Sequence, residues 1–340
     1  MFFIISGYGI YYSIKKLNDT NYYSYKICIE KRLQRLVPAY WLSLILILLI
    51  GDGAYYLSKK YILNIVSHFV FAHAIFPAFS GAIIGPAWFL GTVFSLYFLA
   101  PFLYKAMLRT NIGVFLIAAC TISIFAKFLI LHYVIPALGF DKSYNFWGAR
   151  NLFISVLDTF SLGMGVAFVE NRTKNVKEKN CISFICLFVS LAVLYMWGKW
   201  FLKDIWKDSL SGYLFHTGLG VICAVSVFFV SKIHIEMKSL LYEVIVRISK
   251  YEYEIYLLHL EIFRNVMAKS SAFNRLAAES KTLGVLALCA VVILFGSVLH
   301  KISANIKIKW KYTFEIFVLI RIVIIIISLG NAIYTKCFLS

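Results

Sequence analysis

The chain has 340 residues, of which 61% are hydrophobic, and its mean hydropathy is +0.81. Soluble globular domains are about 45–50% apolar, so this composition excludes a water-soluble fold. The net charge of +18 comes from basic residues that lie at the ends of apolar segments. We therefore expect membrane lipids, and no nucleic acid, among the partners of this chain.

Long apolar runs along the sequence predict helices that cross a bilayer. A span needs about 20 mostly apolar residues to cover a hydrocarbon core of about 30 Å. Continuous apolar runs, in contrast to alternation with a period of two, indicate helices and not barrel strands. The long runs, counted together with two shorter apolar segments, predict an all-α, polytopic integral membrane helical bundle of about nine to eleven transmembrane helices. We place full spans near residues 38–57, 84–107, 112–138, 151–170, 181–201, 212–232, 251–268, 282–300 and 312–334.

Two further apolar segments do not fit as full spans. Residues Phe2–Ile14 would reach only about 20 Å as a helix that rises about 1.5 Å per residue, which is short of the bilayer. Residues 62–79 contain His68, His73 and Pro77. These polar and helix-breaking residues favour a partly inserted or interfacial helix at 62–79.

The positions of the charges predict which loops face the cytoplasm. If the loop at 15–37 is cytoplasmic, alternation of the spans puts the loops at 105–109, 172–179, 232–250 and 301–311 on the same side. These loops hold nearly twice as many lysines and arginines as the opposite loops, as the positive-inside rule requires. We expect a multi-pass protein of a cell membrane, with the bacterial inner or plasma membrane as its location.

The sequence contains no repeats, low-complexity tracts or long linkers. We therefore expect residues 1–340 to form a single membrane domain, in which 282–334 supplies the C-terminal transmembrane helices. The seven cysteines show neither metal-ligand nor redox spacing. We interpret them as small apolar packing residues, and we predict no metal site.

A basic cluster precedes the apolar run that begins near residue 38. Arg32 and Arg35 are three residues apart, so in a helical turn they project from one face. Two guanidinium groups placed in this way can bind a phosphate or diphosphate through charge-assisted, bidentate hydrogen bonds. The alternative is a basic flank that only sets the topology. By spacing alone, this second interpretation is favoured.

A second cluster lies in the apolar run near residue 260. Tyr256 and His259 are three residues apart on one helical face, which suits a pair that handles a proton. Ionisable groups inside a membrane usually face a bundle interior or a cavity. The alternative is a neutral histidine that forms a hydrogen bond across helices.

A third cluster lies at residues 85–101. Physical reasoning alone interprets Trp88 as an interfacial anchor of a helix and Pro101 as a proline near the end of that helix.

Five short motifs, in the same order along residues 1–270, together resemble those of the membrane-bound acyltransferase-3 family. They are FFIISGY with Ser6 and Gly7, the RxxR of Arg32 and Arg35 before Pro-Ala-Tyr-Trp, the stretch at 86–101 with Trp88 and Pro101, FSLGM with Gly163, and Ser249–His259. Each motif is weak by itself. Because all five occur in the same order as in the family, the set together is fairly specific for it.

The resemblance implies an enzyme and a substrate class. The family includes O-acetyltransferases of lipopolysaccharide, capsule polysaccharide and Nod factors. It implies transfer of an acyl group, commonly acetyl, from cytoplasmic acetyl-CoA or another acyl-CoA to a hydroxyl of a cell-surface or exported saccharide. Acyl-CoA and the saccharide acceptor would then be partners, and no cofactor would stay bound. Arg32 and Arg35 would bind the donor, and His259 and Tyr256 are the candidate catalytic residues.

Two features of this sequence depart from the family pattern. The family's proposed catalytic histidine lies in a helix that precedes the motif at Phe2–Tyr8, and this sequence starts at that motif. The glutamate of the family's tryptophan motif corresponds to Val93, and its serine to Phe89. These departures are also consistent with a truncated, divergent or inactive member.

Two other classes of protein stay open at this point. A polytopic transporter would line a polar pathway with intramembrane ionisable residues, but it predicts hydropathy symmetry between two halves, which this sequence lacks. A catalytically inactive membrane subunit of polysaccharide assembly or export is the other alternative. The ionisable residues considered for the pathway are Lys127, His132, His259, Arg264 and Arg321.

Overall fold

A computed structural model describes most of the chain, and this described part is almost entirely helical. It covers residues 1–19, 25–50, 62–76, 79, 83–137, 152–173, 180–201, 210–233 and 240–339. No strand occurs within these ranges. The predicted all-α class is therefore confirmed.

The described ranges contain thirteen helices of eight or more residues. In order they are α1 (Phe2–Asp19), α2 (Tyr25–Ile50), α3 (Ile62–Phe69), α4 (Trp88–Arg109), α5 (Ile112–Leu129), α6 (Leu157–Arg172), α7 (Asn180–Phe201), α8 (Leu210–Lys232), α9 (Leu240–Ser249), α10 (Glu252–Ile262), α11 (Ser271–Glu279), α12 (Lys281–Ala304) and α13 (Trp310–Leu339). Turns with π geometry extend α5 at Ile130–Val134 and α10 at Phe263–Met267. Short 3₁₀ turns lie at His73–Ile75 and Gly85–Ala87.

Several of these helices are long and apolar enough to cross a bilayer, which confirms a polytopic membrane protein. Among the described residues they are Tyr25–Ile50, Gly85–Arg109, Ile112–Ala137, Cys181–Trp200, Gly212–Lys232 and Lys281–Ala304. Each one coincides with or overlaps a predicted span. Helices α6, α10 and α13 lie at the other three predicted spans.

Helices α1 and α2 are both longer than the sequence pattern indicates. The predicted span near residue 38 begins as a helix at Tyr25, so Arg32 and Arg35 lie inside α2. Pro38 also lies inside α2, because the loss of one backbone hydrogen bond does not stop a helix whose neighbouring turns are well packed. Helix α1 continues to Asp19, beyond the expected end at Ile14.

The segment at 62–79 contains a short helix, in agreement with the prediction that it does not form a full span. Helix α3 has 8 residues and therefore reaches only about 12 Å. Phe71 follows it with a positive φ of 56°, a conformation rare for an aromatic residue. Its buried ring packs on Tyr40 at 4.7 Å between centroids. This packing compensates for the strained backbone.

Contacts divide the chain into two compact units. The first comprises Met1–Ile29, Thr92–Glu236 and Ala332–Ser340, and the second comprises Glu30–Gly91 and Met237–Asn331. In the first unit, α1 packs on α6, and α6 also packs on α5 and α8. In the second unit, α10 and α11 pack on α12. The expectation of a single domain over 1–340 stays a prediction.

In the first unit, α1 and α6 approach each other at two glycines. A Cβ atom added to Gly7 would lie 2.1 Å from the carbonyl oxygen of Phe160, and one added to Gly163 would lie 2.0 Å from that of Ile4. Only glycine allows backbones to come so close, as at the small-residue interfaces of membrane helices. Two of the family-like motifs therefore meet at a helix crossing, which gives their glycines a structural role.

The first unit also contains an ion pair in its interior. Lys127 of α5 is 2% exposed, and its Nζ lies 3.6 Å from Oδ2 of Asp158 on α6. Thr217 of α8 donates a hydrogen bond to the same carboxylate, and the Asp158 amide donates to Oγ of Ser123 at 2.8 Å. These contacts pair the buried charge of Lys127 with a carboxylate, and together they join three helices.

Candidate functional site

The second unit contains an open cavity of about 570 Å³. Its walls come from three segments that are distant in the sequence: the first half of α2, the start of α10 with the turn before it, and the end of α12 with the residues after it. The lining includes Arg35 from α2, Tyr253 from α10 and His300 from α12. Two of the family-like motifs, RxxR and Ser249–His259, therefore meet at one site.

Side-chain hydrogen bonds hold the three walls together. Gln34 of α2 donates from Nε2 to the carbonyl of Ile306 at 3.0 Å, and its Oε1 accepts from the amide of Ile308 at 3.2 Å. The hydroxyl of Tyr253 on α10 donates to the carbonyl of Leu36 on α2 at 3.1 Å. Gln34 and Tyr253 therefore position the rim of the cavity, a role that sequence reasoning did not give them.

Three exposed cationic side chains belong to the lining of the cavity. Arg35, Lys250 and Lys307 line it and are exposed. Glu252 is the exposed acidic residue among the lining residues. The excess of fixed positive charge at the rim suits an anionic ligand, and a guanidinium group adds the capacity for bidentate phosphate binding.

A carboxylate and a histidine lie together in the cavity wall. Glu254 is 5% exposed, and its Oε1 accepts a hydrogen bond from Nδ1 of His300 at 3.0 Å. Oγ of Ser303, one helical turn after His300, lies 3.4 Å from the same oxygen. All three residues line the cavity. His300 was missed from the sequence, although an ionisable residue in the last turns of an apolar helix is itself a functional signal.

Of the two arginines that were predicted to bind the donor together, one belongs to the described lining of the cavity. Arg35 is exposed and lines the cavity, whereas Arg32 is only half-exposed and is not among the described lining residues. The assignment of both arginines to the donor stays a prediction. This geometry favours Arg35 as the arginine that would contact the donor.

Tyr256 and His259 lie outside the described lining of the cavity. The hydroxyl of Tyr256 donates to the carbonyl of Pro86 at 2.7 Å, and its ring contacts Phe89 edge-on at 5.9 Å between centroids. His259 is exposed, and its Nδ1 bonds the carbonyl of Tyr256 within the same helix at 2.8 Å. The rings of Tyr256 and His259 are 6.0 Å apart. Their catalytic role therefore stays a prediction.

The remaining motif residues have mainly apolar surroundings. Trp88 begins α4 and contacts Phe89, Pro101 is buried inside α4, and Ser6 is half-buried on α1. Val93 is buried and 1% exposed. Val93, which the resemblance matches to a family glutamate, is therefore an apolar packing residue.

A second polar cluster lies in the interior of the second unit. The rings of His68 and His73 stack 4.1 Å apart and both residues are fully buried. Nδ1 of His68 bonds the carbonyl of Asn64 at 3.0 Å, and Nε2 of His73 bonds that of Ala87 at 2.9 Å. The first bond lies within α3, and the second fastens His73 to the residue just before α4. Within the described ranges, no group of three or more His, Cys, Asp or Glu residues could hold a metal ion.

The family to which this chain belongs follows from comparison with known proteins. The family model described as an acyltransferase domain, acyltransferase 3, matches residues 1–334. No curated protein and no solved structure matches the chain. Because the family match extends over nearly the whole chain, the protein belongs to the acyltransferase-3 family of membrane acyltransferases.

Proposed function

We propose that the protein is a membrane-embedded O-acyltransferase that moves an acyl group, in the simplest case acetyl, from a cytoplasmic acyl-CoA to a hydroxyl of a cell-surface or exported saccharide. The observation that carries this proposal is the cavity of the second unit, where Arg35, Lys250 and Lys307 converge. Family membership supports acyl transfer in general. The cavity supports a polyanionic donor.

The chemistry of the cavity matches that of an acyl-CoA. This donor carries a diphosphate, a further phosphate and a thioester. The cationic residues at the rim can bind the phosphates, and the volume of about 570 Å³ lies within the usual range of about 300–1,000 Å³ for small-molecule pockets. The thioester end can then lie along the wall that contains Glu254 and His300.

The predicted topology favours a donor that arrives from the cytoplasm. Arg35, Lys250 and Lys307 lie in the ranges 15–37, 232–250 and 301–311, which the distribution of charge in the sequence assigns to the cytoplasmic side. These three segments line one cavity. The cavity brings together three segments that charge counting assigns to one side of the membrane, and this agreement supports a donor that binds on that side.

Substitution of Arg35 tests the proposal. In membranes that contain the full chain, transfer of radiolabelled acetyl from acetyl-CoA to saccharide is measured for the wild type, Arg35→Ala and Arg32→Ala. Arg35→Ala should raise the KM for acetyl-CoA about 10-fold to 100-fold, as expected for the loss of a charged hydrogen bond of about 1.5–3 kcal/mol. Arg32→Ala should have the smaller effect.

Arg275→Ala is the matched control, because Arg275 is exposed on α11 and is not among the described residues of the cavity. A KM for Arg35→Ala equal to that of the control would refute the donor site. A wild-type chain that transfers no acetyl group would refute the proposed transferase and would leave the transporter and the inactive subunit as the alternatives.

A further inference from the structure

The Glu254–His300 pair in the cavity wall has the geometry of a base and its orienting group. His300 comes from the last turns of α12 and Glu254 from the first turn of α10. Nδ1 of the imidazole lies 3.0 Å from the carboxylate. The ring of Tyr251 contacts the imidazole edge-on, with 5.3 Å between centroids. The imidazole plane is therefore held from two sides.

The carboxylate also selects the tautomer of the neutral imidazole. An ionised carboxylate can only accept hydrogen bonds, so Nδ1 of His300 must be the nitrogen that carries the proton. Nε2 is then left with its lone pair, which is the form that a base requires. Because the His300 side chain is 37% exposed and lines the cavity, a ligand in the cavity can reach this ring.

The burial of Glu254 needs a reason beyond packing. A buried carboxylate costs several kcal/mol unless it is paired or hydrogen-bonded, and ionisable groups within membrane helices usually belong to functional sites. Glu254 is 5% exposed, and its described partners, His300 and Ser303, are themselves residues of the cavity wall. By contrast, the buried pair Lys127–Asp158 does not line this cavity.

We propose that His300 is the general base of the transfer reaction and that Glu254 is its positioning residue. This inference rests on the proposed acyltransferase function. Nε2 of His300 takes the proton of the acceptor hydroxyl as the oxygen attacks the thioester carbonyl carbon. A C–O bond forms and the C–S bond breaks. The CoA thiolate leaves and takes the proton back from the imidazolium, so the products are the ester and free CoA thiol.

Chemical rescue distinguishes a base from a residue that only supports the structure. Full-chain membranes of the wild type, His300→Ala and Glu254→Gln are assayed for retention of radiolabelled acetyl-CoA and for its turnover to free CoA thiol. His300→Ala should retain the donor within about 3-fold of wild type but lose about 10²–10⁴-fold in kcat, the usual contribution of a positioned base. Added imidazole should restore part of the turnover of His300→Ala, and pyrazole, which is of similar size but weakly basic, should not.

Two further variants complete the experiment. Glu254→Gln should lower kcat with donor retention unchanged, and imidazole should not restore its activity because His300 still occupies the site. His132→Ala is the control, since His132 lies outside the second unit and its ring bonds the hydroxyl of Tyr213. It should leave kcat within about 2-fold of wild type, which is far below the effect of a lost base.

The outcomes separate this inference from the proposed function. If the wild type retains and turns over acetyl-CoA while His300→Ala keeps its kcat, or if imidazole fails to restore a depressed kcat, the role of His300 is refuted and the acyltransferase stands. If the wild type neither retains nor turns over acetyl-CoA, both proposals fall together.

Discussion

Replacing the glycines at the α1–α6 crossing by alanine should destabilise the first unit. A Cβ atom at Gly7 would lie 2.1 Å from the carbonyl oxygen of Phe160, whereas ordinary van der Waals contacts begin at 3.4 Å. At Gly163 the added atom would lie 2.0 Å from the carbonyl oxygen of Ile4 and 2.8 Å from its Cα. The neighbours are backbone atoms, which no rotamer change can move. The two helices must therefore separate by about 1 Å or more.

The expected cost exceeds the gain in helix propensity. Overpacking of a tight interface costs about 1–3 kcal/mol, and more where the backbone itself must move. Alanine inside a helix gains at most about 1 kcal/mol over glycine. We therefore expect Gly7→Ala and Gly163→Ala each to lower stability by about 2 kcal/mol or more, which corresponds to a fall of several degrees in thermal midpoint.

Gly198 provides a matched control for these substitutions. It lies inside α7, and a Cβ atom placed there would meet nothing within 4 Å. The assay is thermal unfolding of the detergent-solubilised chain, followed by loss of the monodisperse peak in size-exclusion chromatography. Gly198→Ala should leave the midpoint unchanged or slightly higher. Midpoints for Gly7→Ala and Gly163→Ala that equal that of Gly198→Ala would refute the assigned crossing.

Two further predictions concern the buried ion pair and the cavity rim. Lys127→Met should lower stability by about 3–5 kcal/mol because it leaves Asp158 buried without its cation. The double variant Lys127→Met with Asp158→Leu should recover most of this stability in the same thermal assay. A double variant less stable than Lys127→Met would contradict this account. Gln34→Ala removes two hydrogen bonds to the residues after α12 and should raise the KM for acetyl-CoA about 3-fold to 10-fold. The control Asn274→Ala on α11 should leave this KM unchanged. Equal KM values for the two variants would contradict the role of Gln34 at the cavity rim.

The fold class could be predicted because the bilayer imposes a simple rule on the sequence. Backbone groups in lipid must be satisfied within the segment, so an apolar run of sufficient length is a helix. The helix limits were less predictable. Arg32 and Arg35 lie inside α2 because that helix begins at Tyr25 and continues through Pro38, and a hydropathy pattern detects only the part of a helix that is apolar.

Part of the candidate site could also be predicted from short motifs. The RxxR spacing by itself favours a basic flank that sets the topology, and only the resemblance to the family assigned Arg35 to the donor. The motif at Ser249–His259 contains five residues of the described cavity lining, and Tyr253 and Glu254 are two of these five. The same motif directed attention to His259, which lies outside the described lining of the cavity. No local pattern could pair Glu254 with His300, because these residues are 46 positions apart and meet only when α10 packs on α12.

Composition and motif order were sufficient to predict a helical membrane protein that resembles the acyltransferase-3 family and whose basic loops favour one side of the membrane. These properties depend on composition and local order, which a linear pattern records. The three-dimensional arrangement was needed to show that Gly7 and Gly163 lie at a helix crossing, that Lys127 has a carboxylate partner, and that His300 lies beside Glu254. Each of these depends on the distance between atoms of separate helices, and that distance is set by packing.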